Sequence, residues 1–494
     1  MCYNEKTEDY MNNTKTLVYF LCFNLLLWSL VPCLRGSLPM DTQEAIVWGK
    51  FCSWITTKHP PFSAWIAYYF YVVFGSFDKV MYLLSQIMVI SGIYYIYKLA
   101  KLFVDKDKAL LAALLQFGII YYHFSAVEYN VNVVSIALWP MCAYYFWLAY
   151  TQNKWKDWLL FGLLVGINLL NKYVSVALLF GFGVFVIIDN GWRKIFFNIK
   201  AYIAGIIALM LVFPHIYALY QADFAAIDYI AERNHTGKIT SAWRYLFYPL
   251  KFLVAQVLFS AAAWLTYMVF YSKNMPEKIR ANQQKTKFLL SVGILPLLLF
   301  AAIGLISGNA LKSMWGFPCL FAVGIMLFYF YPFTLNENNK RNFVKVMTVW
   351  SCLFAIAYTV QCVVTTSERF TLNNKDFVRQ IEQKWQEYTG NNQPIEYVGA
   401  DVWYADMFAL YGTGNIKPMV WMNPKNNTWF DVKDFEQKGA LIVAANLPEY
   451  GSYTTMYGDN ISAPQKFEFN TKNYFGKNKK REIYYGFYNV KGSR

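Results

Sequence analysis

Long apolar runs separated by short polar links dominate the first three quarters of the chain. A run of about 20 apolar residues is long enough for one helical crossing of a bilayer. Because weak segments are easily missed, we expect an all-α polytopic membrane domain with about 11–13 transmembrane helices. The apolar pattern predicts spans at Thr16–Leu34, Val80–Lys98, Ala109–His123, Val133–Tyr150, Trp158–Leu170, Tyr173–Ile188, Ile199–Tyr220, Tyr245–Tyr271, Phe288–Ser307, Met314–Tyr331 and Val344–Cys362.

One further apolar segment, Phe62–Gly75, is shorter and follows Pro60-Pro61. We predict that it is a helix lying in the membrane interface rather than a span. With the N-terminus cytoplasmic, the cytoplasmic links then hold more cations per residue than the opposite links, as the positive-inside rule requires. Counting this segment as a span would move every later link to the opposite side of the membrane and would break this charge bias. The cations in question are Lys101, Lys106, Lys108, Lys154, Lys156, Arg193, Lys194, Lys273, Lys278, Arg280, Lys285, Lys287, Lys340 and Arg341.

This topology places several polar segments on one side of the membrane, outside the cytoplasm. They are the first loop (residues 35–78), the Ser125–Asn132 loop, the Gln221–Arg244 loop and everything after Cys362. A transmembrane domain at residues 1–362 is therefore expected to precede a separate C-terminal domain.

The tail at residues 363–494 is polar and rich in asparagine. Within it, Ile395–Gly399 and Ala440–Ala445 are typical of short strands, and Asp376–Tyr388 is typical of an amphipathic helix. The tail is long enough to bury a modest core. We predict a small α/β domain there.

Composition supports the membrane class and excludes others. The 494 residues are 57% hydrophobic and 15% charged, whereas soluble domains are about a quarter charged. The net charge of +15 is explained by positive-inside links, so membrane lipids and no nucleic acid are expected as partners. The eight cysteines form no CxxC pair, and His215 and His235 have no ligand-like spacing. No metal ligands are predicted, and a divalent-metal requirement stays open.

The first loop carries the densest set of chemical groups. Asp41 and Glu44 lie three residues apart, on one face if the segment is helical. Lys58 and His59 precede Pro60-Pro61, which must break any helix. Acids followed by a basic turn suit a pocket for an anionic substrate. An ordinary polar loop with solvated charges is the alternative.

Other polar groups stand at the predicted outer ends of helices, where charges are costly and therefore suggest function. Glu128, Asn130 and Asn132 lie between two apolar runs, and Lys172 and Lys312 lie at helix ends. The asparagines could instead cap a helix, and the lysines could extend to the interface. As a functional set, the acids would act as base or orient an acceptor while the cations neutralise a phosphate leaving group. Because the chain has no P-loop, a lipid-linked phosphate is the plausible donor.

Several motifs resemble the GT-C glycosyltransferases, in the branch of protein O-mannosyltransferases and lipid A aminoarabinose transferases. The order of acidic loop, Pro-Pro turn, interfacial helix and second span is similar. The segments that carry the resemblance are Asp41-x-x-Glu44, Trp48-Gly49, His59-Pro60-Pro61-Phe62, Phe74-Gly75, Glu128-Tyr129-Asn130-Val131-Asn132, Leu138-Trp139-Pro140, Asn171-Lys172-Tyr173, Tyr397-Val398-Gly399-Ala400-Asp401-Val402-Trp403 and Ala409-Leu410-Tyr411.

The resemblance implies inverting transfer of one sugar from a polyprenyl-phosphate donor on the periplasmic side of a bacterial inner membrane. Asp41 matches the catalytic acid of the family's first loop, and Lys172, with Lys312 second, would bind the donor phosphate. His59 stands where aminoarabinose transferases carry a lysine, with Lys58 displaced by one. Glu44 follows Asp41 by three residues, whereas many members have an adjacent pair.

The function expected from this resemblance is decoration of an envelope glycolipid, lipid A or the lipopolysaccharide core. A protein O-glycosyltransferase is the nearest alternative. A secondary transporter or lipid flippase would predict repeated halves, and the sequence contains no such repeat. A non-catalytic envelope scaffold is the remaining alternative.

Overall fold

The computed structural model describes residues 2–224, 239, 241–278, 282–390, 393–424, 427 and 429–489. The centre of the predicted outer loop Gln221–Arg244, with His235, lies outside the described residues. The described chain divides into two compact units, one comprising Met1–Leu30 and Tyr82–Ala357 and the other comprising Val31–Met81 and Tyr358–Arg494. The first loop thus falls in the same unit as the tail.

Helices make up nearly all of the described chain before residue 364, as the apolar pattern predicts. Their bounds are α1 (Cys2–Leu30), α2 (Met40–Lys50), α3 (Phe62–Val73), α4 (Val80–Ala100), α5 (Lys106–Leu114), α6 (Val131–Gln152), α7 (Trp155–Asn171), α8 (Val176–Ile188), α9 (Trp192–Phe196), α10 (Ile199–Gln221), α11 (Arg244–Phe259), α12 (Ala261–Lys273), α13 (Gln283–Gly293), α14 (Leu295–Ser307), α15 (Val323–Phe330) and α16 (Glu337–Val364).

Within the described residues, six helical segments are long and apolar enough to span a membrane, or up to nine if each bent pair is one span. The three bent pairs account for the difference between six and nine, and the predicted span Tyr173–Ile188 is a shorter apolar helix that neither count includes. The predicted span Ala109–His123 falls in a pair bent by 86°, and α11 and α12 meet at 59°. The pair α13 and α14 is bent by 43°. Hydropathy averages over such bends, so it predicts the helices but not their continuity.

Three links that were predicted to share the cytoplasmic side are joined by ion pairs in the first unit. Lys108 lies 2.8 Å from Glu277, which follows α12. Lys340, in the first turns of α16, lies 3.1 Å from Asp107. These pairs support a common membrane face for the starts of α5 and α16 and the end of α12, as the positive-inside assignment requires.

The tail forms the predicted α/β fold. Its five strands are β1 (Tyr397–Ala400), β2 (Lys417–Val420), β3 (Ala440–Ala444), β4 (Gln465–Lys472) and β5 (Asn478–Tyr488). They are ordered β2-β1-β3-β5-β4, with β1 parallel to β2 and β3, and β5 antiparallel to β3 and β4. The strands β1 and β3 are buried along their whole length, which is typical of parallel strands covered on both faces. The helices of the tail are α17 (Glu368–Thr371), α18 (Asn374–Thr389), α19 (Val402–Tyr411), α20 (Val432–Lys438) and α21 (Leu447–Tyr457).

A close helix contact fixes the first loop within its unit. A Cβ atom on Gly49 of α2 would lie 2.1 Å from the carbonyl oxygen of Ala64 in α3. Only glycine at this position allows the two helices to approach so closely. The interfacial-helix prediction for α3 stays a prediction, and its exposed apolar residues, Val72 and Val73 among them, are those that such a helix would give to lipid.

Candidate active site

The helix α2 carries both acids of the first loop, but it exposes them to different extents. Asp41 lies in the first turn, where the partial positive charge of the helix N-terminus favours a carboxylate. Its side chain is half-buried. Glu44, one turn later, is only 6% exposed. Of the two acids, Asp41 is therefore the one that a substrate could reach.

Lys58 pairs with Glu44 in the interior of this unit. The Nζ atom of Lys58 donates to Oε1 of Glu44, and both side chains are 8% exposed. The ammonium group also lies 5.7 Å from the centre of the Trp48 ring. The loop before Pro60 is held by Thr56, whose hydroxyl donates to the carbonyl oxygen of His59 at 2.6 Å. The structure thus brings two predicted site residues together as an ion pair.

A second buried carboxylate lies beside this pair, on α19 of the tail. Asp406 is 1% exposed, and neither of its oxygens has a hydrogen-bond partner among the described residues. Burial raises the pKa of Asp406 well above its usual range; the charge of Glu44 raises it further, and Lys58 opposes the rise. Burial and the nearby Glu44 therefore both favour the neutral form of this carboxyl group.

The sequence prediction missed Asp406. The available signal was a single acid within the otherwise apolar segment Val402–Tyr411, preceded by the helix cap Asp401. A lone carboxylate in an apolar helix indicates a buried acid, but the helix α2 that packs against it is hundreds of residues away in sequence. Sequence spacing therefore could not connect Asp406 with Glu44.

In the first unit, the start of α6 is joined to the end of α7. Asn130 caps α6 by accepting a hydrogen bond from the backbone nitrogen of Asn132 at 2.9 Å, so the capping alternative is correct for this residue. The side chain of Asn132 accepts a hydrogen bond from the ammonium group of Lys172. Asn171 donates to the hydroxyl of Ser135 at 2.9 Å. Two predicted segments thereby form one polar cluster at these helix ends.

Lys172 is held in a defined position within this cluster. It is 4% exposed, and its backbone nitrogen donates to the carbonyl oxygen of Asn168 at 3.0 Å. The next residue, Tyr173, has its hydroxyl 3.0 Å from the ring of His215. Such burial differs from the alternative of a lysine extended to the interface, and the binding of a phosphate by this cation stays a prediction.

The third predicted segment, which begins at Lys312, contacts the same cluster through Met314. The sulfur of Met314 lies 3.7 Å from the amide nitrogen of Asn132. The carbonyl oxygen of Ser313 accepts from the hydroxyl of Tyr121 at 2.8 Å. Lys312 and Glu128 are both half-buried. Their parts in a site stay predictions.

The helical region, the five-stranded α/β unit and the polar clusters at helix ends define a polytopic membrane protein with the GT-C fold. The fold matches that of ArnT from Cupriavidus metallidurans bound to undecaprenyl phosphate, with a TM-score of 0.61 and 12% sequence identity. The match covers 97% of this chain and 100% of that chain. The predicted fold class is confirmed.

The sequence comparisons agree with the predicted resemblance. The family model described as dolichyl-phosphate-mannose-protein mannosyltransferase matches residues 58–217. The lipopolysaccharide core galacturonosyltransferase RgtA of Rhizobium johnstonii is 23% identical over 481 residues, covering 90% of this chain and 95% of the relative. RgtB of the same organism is also a lipopolysaccharide core galacturonosyltransferase. It is 21% identical over 323 residues, covering 63% of this chain and 65% of the relative.

Proposed function

We propose that this protein is an inverting membrane glycosyltransferase that moves one monosaccharide from a polyprenyl-phosphate donor to an envelope glycolipid. The observation that carries the proposal is the buried Lys172, held by Asn132 at the junction of α6 and α7. A fixed and desolvated cation is suited to the phosphate that leaves when the glycosidic bond of the donor breaks. Lys312 is a second candidate for that phosphate.

In this mechanism the acceptor oxygen attacks the anomeric carbon of the donor as the bond to the phosphate oxygen breaks. The products are the glycosylated acceptor, with inverted configuration, and the polyprenyl phosphate. If the acceptor is a hydroxyl, Asp41 receives its proton; if it is a phosphate, Asp41 orients it. Asp41 is assigned this role because its side chain is half-buried, whereas Glu44 is buried against Lys58. We assign Glu44 to structural support of α2.

The remaining candidate residues have subsidiary roles in the proposal. Asn130 and Asn132 position Lys172 through the start of α6. His59, half-buried beside the Pro-Pro turn, and Glu128 would contact the acceptor. The proposed location is the bacterial inner membrane, with the site and the tail facing the periplasm.

The lipopolysaccharide core is the favoured acceptor. Both relatives named above are lipopolysaccharide core galacturonosyltransferases, and RgtA aligns with 90% of this chain. A protein acceptor is the second candidate, because the mannosyltransferase family model matches residues 58–217, which hold Lys58 and Lys172. Lipid A, which the sequence resemblance to lipid A aminoarabinose transferases implies, is the third candidate acceptor.

Mass spectrometry of lipid A and core, from strains carrying the wild type, a deletion and Asp41→Asn, tests the proposal. Asp459→Asn is the control, because Asp459 is an exposed acid outside the site. We expect one sugar mass to be lost in the deletion and in Asp41→Asn but not in the control. Loss of the sugar in the deletion alone would show that sugar transfer does not require the Asp41 carboxylate. No change in any strain would reject the glycolipid acceptor and direct the same measurement to envelope glycoproteins.

A further inference from the structure

The turn between β4 and β5 presents two aromatic side chains to the surroundings of the second unit. Tyr474 is 61% exposed and Phe475 is 76% exposed. Soluble surfaces expose single apolar residues often, but adjacent aromatic rings at the tip of a hairpin are a distinct apolar projection. Neither residue has a place in the proposed chemistry.

Hydrogen bonds to one buried side chain brace the turn itself. The side-chain oxygen of Asn473 accepts hydrogen bonds from the backbone nitrogens of Phe475 at 3.1 Å and Lys477 at 2.9 Å. Asn473 is only 6% exposed, and Gly476 adopts a φ of +81°, which favours glycine. The aromatic tip is therefore presented in one defined shape.

Hydrogen bonds attach this tip to the ends of two candidate membrane spans. The hydroxyl of Tyr474 donates to the carbonyl oxygen of Leu34 at 2.7 Å, and Leu34 is the last residue of the candidate span Asn13–Leu34. The side chain of Asn473 donates to the carbonyl oxygen of Val364 at 2.8 Å, the last residue of α16. If these two segments cross the membrane, as their hydropathy predicts, the tip lies at the membrane surface, because spans end there.

Exposed cations surround the aromatic tip. Lys472 and Lys477 flank the turn, and Lys479 follows on β5; all three are exposed. Among the described residues, no carboxylate forms a salt bridge with them. Aromatic rings next to lysines form the combination that occupies membrane interfaces, with the rings among lipid groups and the ammonium groups at phosphates.

We propose that the β4–β5 tip is a membrane-interface anchor that inserts Phe475 into the leaflet at which the candidate span Asn13–Leu34 and α16 end. In this proposal Lys472, Lys477 and Lys479 bind the phosphates of anionic phospholipids. The anchor fixes the tail unit against the bilayer. It does not depend on the proposed transferase activity.

The test places an environment-sensitive fluorescent amino acid at position 475 of the full-length protein in lipid nanodiscs. The discs contain phosphatidylcholine alone or with phosphatidylglycerol, and nitroxides sit at a shallow acyl position. The control label is at Met456, which is 62% exposed on α21 of the same unit. We expect the label at 475 to be quenched at least about two-fold more than the control, and more strongly with phosphatidylglycerol.

The charge contribution is tested with Lys472→Gln/Lys477→Gln/Lys479→Gln, which we expect to remove the effect of phosphatidylglycerol while leaving quenching in neutral discs. Equal quenching at positions 475 and 456 would overturn the anchor. Quenching that never responds to phosphatidylglycerol would overturn the assignment of the lysines. A label at 475 that is shielded from water but not quenched by lipid nitroxides would overturn lipid as the occupant and indicate a protein partner.

Discussion

Lys58 neutralises Glu44 inside the second unit, although 14 residues separate them in sequence. Both side chains are 8% exposed, so the pair is shielded from solvent. Removing one member of a buried ion pair leaves an uncompensated charge, which costs far more than the pair contributes as a whole. This relationship makes the first loop sensitive to single substitutions that a solvated loop would tolerate.

We therefore predict that Glu44→Gln and Lys58→Met each lower the free energy of unfolding by about 3–5 kcal/mol. The double variant should recover much of this loss, because both charges leave together. Denaturant unfolding of the detergent-solubilised protein measures the effect. Independent, additive losses in the double variant would contradict the pairing.

The exposed pair Lys384–Glu387 on α18 is the matched control. Its atoms are 2.8 Å apart, but its side chains are 38% and 64% exposed. We expect removal of either partner to change the free energy of unfolding by about 0–1 kcal/mol.

The double variant of the buried pair also distinguishes a structural role of Glu44 from a catalytic one. If Glu44 only supports α2, sugar transfer should return when folding is restored. If Glu44 is catalytic, sugar transfer should stay low.

A second prediction concerns Lys172. Replacing it with glutamine should reduce kcat/KM for the lipid-linked donor by about 10²–10³-fold, because the charge of the leaving phosphate loses its fixed counterion. Asn132→Ala should give a smaller loss, since it frees the ammonium group without removing it. Binding of undecaprenyl phosphate to the purified protein should weaken in the same order.

Lys154→Gln is the control for the Lys172 variants. Lys154 precedes α7 and is exposed, and Lys172 follows the same helix, so the control removes the same charge from the opposite end of α7. Its kcat/KM should match that of the wild type. Equal losses for the lysines at 154 and 172 would indicate a general charge effect and would reject a phosphate site at Lys172.

The sequence predicted the parts of these sites better than their connections. Hydropathy and charge placed Asn132 and Lys172 at helix ends on one side of the membrane, and the two residues do bond to each other. The placement of both residues at helix ends could be predicted because it depends on local patterns along the chain. The identity of the bonded atoms depends on how α6 packs against α7, which no local pattern specifies.

The Glu44–Lys58 ion pair and the buried Asp406 depend on packing between segments, which local sequence patterns do not predict. The spacing of Asp41 and Glu44 puts both acids on one face if the segment is helical, and Met40–Lys50 is a helix, but spacing alone does not predict how far each acid is exposed. Their different exposure follows from packing of α2 against α3 and α19. The bent helices α11 and α12 were likewise predicted as one span, because an apolar composition continues across the bend at Ser260.

A third prediction follows from the raised pKa of Asp406. The folded chain keeps this proton at pH values where the unfolded carboxyl, with a pKa of about 3.9, has released it. The contribution of this group to the free energy of unfolding is thus fully present below about pH 4, and it is lost as the pH rises toward the folded pKa. Thermal unfolding from pH 4 to 8 should show the wild type losing stability relative to Asp406→Asn. A constant difference would contradict a neutral Asp406.

Asp434 provides a control of opposite sign in the same unit. The hydroxyl of Tyr397 and the ammonium of Lys438 hold the pKa of Asp434 below its usual range. Stability from Asp434 is therefore present above the unfolded pKa and is lost as the pH falls. Asp434→Asn should reduce stability more at pH 6 than at pH 3, with a small effect because the group is partly exposed and screened by salt.

The last prediction concerns the contact that positions α2. In Gly49→Ala, the new Cβ would lie 2.1 Å from the carbonyl oxygen of Ala64 and 2.5 Å from Cβ of Tyr68. Both neighbours are fixed parts of α3, so the helices must separate, at a cost of about 1–3 kcal/mol. Gly451→Ala on α21 meets no atom within 4 Å and should be neutral or stabilising, because alanine favours helices. The midpoint temperature of thermal unfolding and the rate of sugar transfer should both fall in Gly49→Ala but not in Gly451→Ala. If Gly49→Ala retained wild-type unfolding and transfer, α3 would not constrain the acids of α2.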